Sequence, residues 1–168
     1  MIVSMTNGTI DFLKKIQNQH SDKQVQLMQG DNSTIAYYEG EEPSIFEESR
    51  DYEIVDSTGD VQNNGFVVTN NIPVSEEGRA TFEDRFKNRK GNVEGMDGFQ
   101  AIRILRPKQG KTYVVFTQWR DKESFDNWRN SQSFEQAHKK SGPEHKQKPS
   151  FIDGDAYIMH YRMVNPED

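Results

Sequence analysis

The 168-residue chain contains no cysteine. That excludes a disulfide framework, thiolate ligation of haem iron, an iron–sulfur cluster and a cysteine nucleophile. Apolar material is sparse: hydrophobic residues make up 32% of the chain, and the mean hydropathy is −0.97. No run approaches the roughly 18 apolar residues of a membrane span. The opening Met1-Ile-Val-Ser-Met-Thr-Asn-Gly8 lacks a charged region followed by a long apolar core, so no secretory leader is expected and the expected location is cytoplasmic. A basic surplus is missing too. The formal net charge is −6, which argues against a nucleic-acid partner. The cations Arg85, Lys87, Arg89 and Lys90 are flanked by acids and read as a solvated helix face. There is no glycine-rich nucleotide motif and no His or carboxylate spacing suited to zinc.

What the chain does have is aromatic residues: ten Phe, six Tyr and two Trp, each able to remove a large area from water. Its length suits one large domain or two small ones. Ile2 to Met5 reads as a strand with a break at Asn7-Gly8. Thr9 can cap a helix with Ile10, Leu13 and Ile16 on one face. Val25 to Gln29 and Thr34 to Tyr38 flank a Gly-Asp-Asn-Ser turn, a hairpin signal, and Tyr52 to Val55 reads as a further short strand. The polar stretch Ser57 to Gly65 is the best boundary.

A fuller β-α-β-β-α-β pattern follows. It has strands at Phe66 to Val74, Phe99 to Arg106, Tyr113 to Trp119 and Ala156 to Met163. Helices are expected around Ala80 to Arg89 and after Asp121, the second resuming past Ser131 to about Lys140. Pro73 suggests an edge or an exit, and polar residues 141–150 read as a loop. The expected fold is α+β and ferredoxin-like, of the dimeric α+β barrel type, with antiparallel sheets and helices packed outside. Two related halves share the chain: a truncated one at 1–63 and a complete one at 64–168. The first half would take the place of a dimer partner, giving a monomer.

Three residues stand out for chemistry. His138 sits on a partly apolar helical stretch with Phe134 and Ala137, a setting that suits either a packed histidine or a neutral imidazole presented to haem iron. His20, His145 and His160 lack that setting. Trp128 shares a helix face with Phe125; it is either core or a rigid plane able to press on a porphyrin. Period-two alternation puts Asn70 on one face with Phe66, Val68 and Ile72. A lone amide there needs a partner, structural or otherwise, because burying it unpaired is costly. Asn71 points to the opposite face.

The segment Thr117-Gln-Trp-Arg-Asp-Lys-Glu-Ser-Phe-Asp-Asn-Trp128, continued to His138-Lys-Lys, resembles the strand–helix signature of IsdG-type haem-degrading monooxygenases. Val68-Thr-Asn70-Asn-Ile-Pro-Val74 is similar to the family's first strand. Gly98-Phe99 with Arg103 to Pro107 matches its central portion. The likeness spans residues 64–168 and looks closest to the two-part HmoB-type bacterial haem monooxygenases. These belong to the antibiotic biosynthesis monooxygenase (ABM) group.

The resemblance implies that His138 ligates haem iron, that Asn70 donates to the distal oxygen ligand and that Trp128 ruffles the ring. Haem would be substrate and cofactor together, consumed with O2 and electrons from an external donor, a separate reductase, to give a bilin-type product and free iron. Staphylococcal TRAP proteins share the long architecture without the intact Trp and His positions, so this chain resembles the catalytic branch. Two alternatives stay open: a non-catalytic haem-binding or regulatory stress protein, and a cofactor-free ABM oxygenase acting on an aromatic substrate.

Overall fold

The structure, a computed structural model, describes residues 1–41, 45–87, 91–131 and 151–164. The first half runs β1 (Ile2–Gly8), α1 (Ile10–Gln19), β2 (Val25–Gln29), β3 (Thr34–Gly40) and β4 (Arg50–Thr58). The second runs β5 (Phe66–Pro73), a 3-10 turn, α2 (Arg79–Lys87), α3 (Gly91–Glu94), β6 (Phe99–Pro107), β7 (Thr112–Trp119), α4 (Lys122–Arg129) and β8 (Tyr157–Met163).

The eight strands close into one antiparallel barrel in the order β1-β3-β2-β8-β5-β7-β6-β4. Each half contributes its strands in the same spatial order: β4-β1-β3-β2 from the first and β8-β5-β7-β6 from the second. The expected ferredoxin-like pairing of halves is thus present in the topology, and closure occurs within one chain. The two joints differ. The β4–β6 joint pairs Tyr52 through Thr58 with Pro107 through Ile102, whereas β2 and β8 pair at Met28↔Met163 and Gln29↔Arg162.

Inside the barrel lies a core drawn from both halves, including Val3, Met28, Tyr37, Val67, Leu105 and Phe116. Tyr37 stacks on Phe116 at 5.1 Å between centroids. A buried cation enters this core. Arg103 Nε donates to Glu39 Oε1 at 2.6 Å, and its Nη1 donates to the carbonyls of Thr58 and Ile102. Glu39 also accepts from the Tyr37 hydroxyl. The ion pair links β6 to β3, and therefore one half to the other.

The stretch between the halves is held as firmly as the strands. The buried Gln118 amide accepts from Gln62 N–H and donates to the carbonyls of Gln62 and Asn64, while Gln26 donates to the Val61 carbonyl. Here β4 is longer than its apolar residues suggest. It runs through Thr58 because, past a bulge at Val55, β6 supplies a ladder partner for each of Asp56, Ser57 and Thr58. For the same reason β1 continues through Asn7-Gly8, which pair with Ile35 and Thr34.

Helices cover the outer faces. Leu13 of α1 packs with Val25, Leu27, Ala36, Tyr38 and Phe46, and Thr9 caps α1 by accepting from Phe12 N–H. Phe82 of α2 packs edge-on against Tyr113 and lies 4.7 Å from Phe86 between centroids. The α2 helix is also pinned electrostatically. Buried Glu83 takes two hydrogen bonds from Arg106, at 2.8 and 2.6 Å, and a short one from the Tyr113 hydroxyl. Arg106 holds the Glu83 carboxyl below its usual value of 4.5, and burial pushes the Tyr113 hydroxyl up to about 12.

A group whose folded pKa is depressed stabilises the fold above its unfolded pKa and loses that contribution as pH falls through the folded value. Glu83→Ala is expected to cost about 2–3 kcal/mol at pH 7, since two charged hydrogen bonds and a hydroxyl lose their acceptor. Wild-type stability should therefore fall below pH 4.5 more steeply than that of Glu83→Ala, the two curves converging in acid. Urea denaturation from pH 3 to 7 checks this.

Candidate functional site

Strand β5 is flanked by β7 and β8, and its pleat sends Phe66, Val68, Asn70 and Ile72 to the outer, helix-covered face. Directly opposed residues share a face, so β7 adds Trp119, Thr117, Val115 and Tyr113, and β8 adds Arg162, His160 and Ile158. Two apolar clusters divide this surface. One holds Phe66, Val68, Trp119 and Phe125, with Trp128 packed against it. The other holds Ile72, Val74, Phe82, Tyr113 and Val115.

Asn70 falls at the boundary between them. It is half-buried, and its Oδ1 is buried without a hydrogen-bond partner among the described residues. No structural donor to that oxygen is therefore present among the described residues. Asn71, as alternation requires, turns inward, where its amide donates to the Thr69 and Tyr157 carbonyls. Next to Asn70 on β8, Ile158 is 59% exposed. An open apolar strip with one unsatisfied amide thus lies on the outer face.

Trp128 belongs to the wall of this strip. Asp121 caps α4 by accepting from Ser124 N–H at 2.8 Å, which fixes where the helix starts. Gly98 fits under that first turn: its φ is +84°, and a Cβ there would sit 2.1 Å from Ser124 Oγ. Along α4, Phe125 reaches the sheet and Trp128 stacks on buried Trp119, 5.8 Å between centroids and 29° between planes. The indole is half-buried, so part of its surface is spent on packing. Trp128 and Asn70 therefore lie on the same side of the sheet, with Val68 the member of the Trp128 cluster next to Asn70 along that face of β5.

His138 and the loop at 141–150 lie outside the described residues. Another histidine stands in the wall instead. His160 opposes Val68 across the ladder, and its ring lies 5.4 Å from Phe66 and 5.8 Å from Phe125 between centroids. Sequence reasoning set His160 aside. Alternation along Ala156 to Met163 carried the signal, because it puts His160 and Ile158 on one face and Tyr157, Met159 and Tyr161 on the other. Among the described residues no group of three or more His, Asp or Glu forms a metal-binding cluster, and no helix is long and apolar enough to cross a membrane.

Both the strip and the helix that borders it lie in the second half. Residues 65–140 match the antibiotic biosynthesis monooxygenase (ABM) domain. Outside that domain the likeness continues. A protein of Staphylococcus epidermidis named signal transduction protein TRAP is 25% identical over 126 residues, covering 75% of each chain. The solved structure of a major regulator of staphylococcal pathogenesis superposes with a TM-score of 0.84 at 18% identity, over 98% of this chain and 100% of that one. LmHde, a heme-degrading enzyme from Listeria monocytogenes, superposes with a TM-score of 0.73 at 17% identity, over 96% and 99%. At those identities the two structures show a shared fold alone, and that fold carries a regulator's name in one case and an enzyme's in the other.

The orphaned amide has a measurable consequence for the ligand-free protein. Asn70→Val removes a buried acceptor that lacks a partner and suits a strand flanked by apolar neighbours. It is expected to raise stability by about 1 kcal/mol, read as a higher urea midpoint at unchanged slope.

Proposed function

We propose that the chain is a haem-degrading monooxygenase whose site is the outer face of β5 and β8 beside α4. The observation that carries this reading is the buried, unpartnered Oδ1 of half-buried Asn70 in an open apolar strip, which marks a polar side chain whose bonding is incomplete without a ligand. A planar, largely apolar ligand with a polar centre fits that combination, because it covers the exposed Ile158 and gives the amide something to bond. Haem, when bound, supplies both the iron at which O2 is reduced and the porphyrin that is opened to a bilin-type product with release of iron.

The protein's own residues divide the remaining work. His138 would hold the haem iron, as the resemblance implies. Asn70 would offer its amide N–H as a donor to the oxygen substrate. Trp128, backed by Trp119, would present a rigid plane against the bound ring and so supply one of the levers a protein has on haem reactivity. The surrounding Phe66, Val68 and Phe125 exclude water and so strengthen the single polar contact. No nucleotide-binding motif is present, so electrons come from a separate reductase. The first half, residues 1–63, closes the barrel and carries none of the three site residues.

The TRAP likeness favours one other reading, a regulatory protein that binds haem without consuming it. Titration of the apo-protein with haemin, followed by ascorbate under air with catalase, separates the two. Degradation predicts a saturable Soret band near one equivalent that then collapses with iron release. A band that persists supports the regulatory reading, and no saturable band sinks both. His138→Ala should lose the axial-ligand spectrum, whereas His160→Ala should retain it. Asn70→Ala should bind haem within a few-fold of wild type and degrade it at least tenfold more slowly. Trp128→Ala should bind a flatter ring and slow or redirect its opening.

A further inference from the structure

The inner face of the same strands carries a second feature. Along β8, Tyr157, Met159 and Tyr161 point into the barrel, yet Tyr157 is 53% and Met159 38% exposed while Tyr161 is buried. The cause is the uneven joint. Strand β8 meets β2 only at Met28 and Gln29, so among the described residues its β2-facing edge has no ladder from Tyr157 to Tyr161 and the barrel stands open there. A cavity of about 750 Å³ occupies this end, lined from both sides of the gap by Met28 and Ser33 on one and Met159 and Tyr161 on the other.

The cavity's chemistry is graded. Its inner wall has Met5, Met28, Ile35 and Val114 with the rings of Tyr52 and Tyr161, a thioether and aromatic surface that suits a flat ring system. Its rim has Arg50, Lys108 and Lys111, cations on a chain of net charge −6, of which Lys111 is paired with Asp153 at 3.0 Å. The one acid in the lining, Asp51, accepts from the Ser4 and Ser49 hydroxyls at 2.8 and 2.7 Å. Arg50 is oriented by a 2.7 Å bond from Nη1 to Asn7 Oδ1. Its charge also reaches the pocket wall, opposing the rise that burial imposes on the Tyr52 and Tyr161 hydroxyls. Pockets of this size with apolar walls and a few convergent polar groups are the usual form of small-molecule sites.

We propose that the open end of the barrel is a second binding site, for an organic anion with an aromatic body and a carboxylate-type head, the body lying on the methionine and tyrosine wall and the head on Arg50. The site is separate from the haem reading: it lies on the opposite face of β5 and β8 and shares no lining residue with Asn70 or Trp128.

The test uses the full chain labelled with 13C at the methionine methyls, titrated at pH 7 with 2-naphthoate and, separately, with neutral 2-naphthol. Met5, Met28 and Met159 line the cavity, whereas Met96 packs in the helix-side cluster. The expected result is saturable shifts at Met5, Met28 and Met159 with Met96 unmoved. Arg50→Gln, a change at an exposed rim position, should weaken naphthoate at least tenfold and leave naphthol within two-fold. Shifts centred on Met96, or none that saturate by millimolar ligand, would overturn the site. Equal effects of Arg50→Gln on both ligands would overturn the anionic head. Because the readout needs no haem, failure of the haem titration leaves this test intact.

Discussion

A four-stranded sheet has two edges, and every unpaired backbone N–H and C=O along them must find a partner or face water. In this chain the edges of each half are β4 and β2, or β8 and β6, and each half supplies the other's partners. Closure of the barrel is therefore the constraint on which the rest depends. It turns two sheets that would each leave an apolar face bare into one core shared by Val3, Met28, Val67 and Leu105. It also explains how a chain with so few apolar residues can fold. Inward-facing positions fill one interior, and the aromatic residues concentrate where helices meet the outside of that wall.

Closure also decides where polar groups can be buried. Arg103 projects inward from β6 and would be a large penalty alone. It is tolerated because β3 brings Glu39 opposite, and because the Thr58 carbonyl at the end of β4 takes a second N–H. Both of these partners come from the first half and reach Arg103 only once the halves meet, so the ion pair makes association of the halves specific as well as favourable. The Glu83–Arg106–Tyr113 group does something different. It lies outside the barrel, joins α2 to β6 and β7, and holds the helix whose Phe82 covers one side of the Asn70 strip.

Much of this was legible in the sequence where a local rule applied. The Gly-Asp-Asn-Ser turn announces the β2–β3 hairpin, Thr9 and Asp121 announce their helices, and alternation from Phe66 assigns Asn70 and Asn71 to opposite faces. What was not legible depends on partners distant in the chain. Asn7 and Gly8 look like a break but remain in β1 because β3 pairs with them. Residues 57–65 look like a free linker but are bound by Gln118, more than fifty residues on. The unequal joints could not be read at all, since the extent of the β2–β8 ladder is set by where two half-sheets meet. His160 shows the same limit at the site: its neighbours Phe66 and Phe125 come from two other elements.

The asymmetry of the halves has a consequence for the site. By strand order, β1 in the first half holds the position that β5 holds in the second. The second half interposes α4 between its third and fourth strands, and that helix brings Phe125 and Trp128 over the outer face. In the first half the corresponding connection runs from Gly40 to Arg50, and its described part carries no helix. Ile45 and Phe46 from this connection pack into the cluster beneath α1 instead, filling the surface that a second cleft would need. The two halves therefore share an architecture, while among the described residues the second keeps a strip open beside a helix. Among the described residues, then, the half whose outer surface is filled serves as the scaffold that completes the barrel behind the open strip.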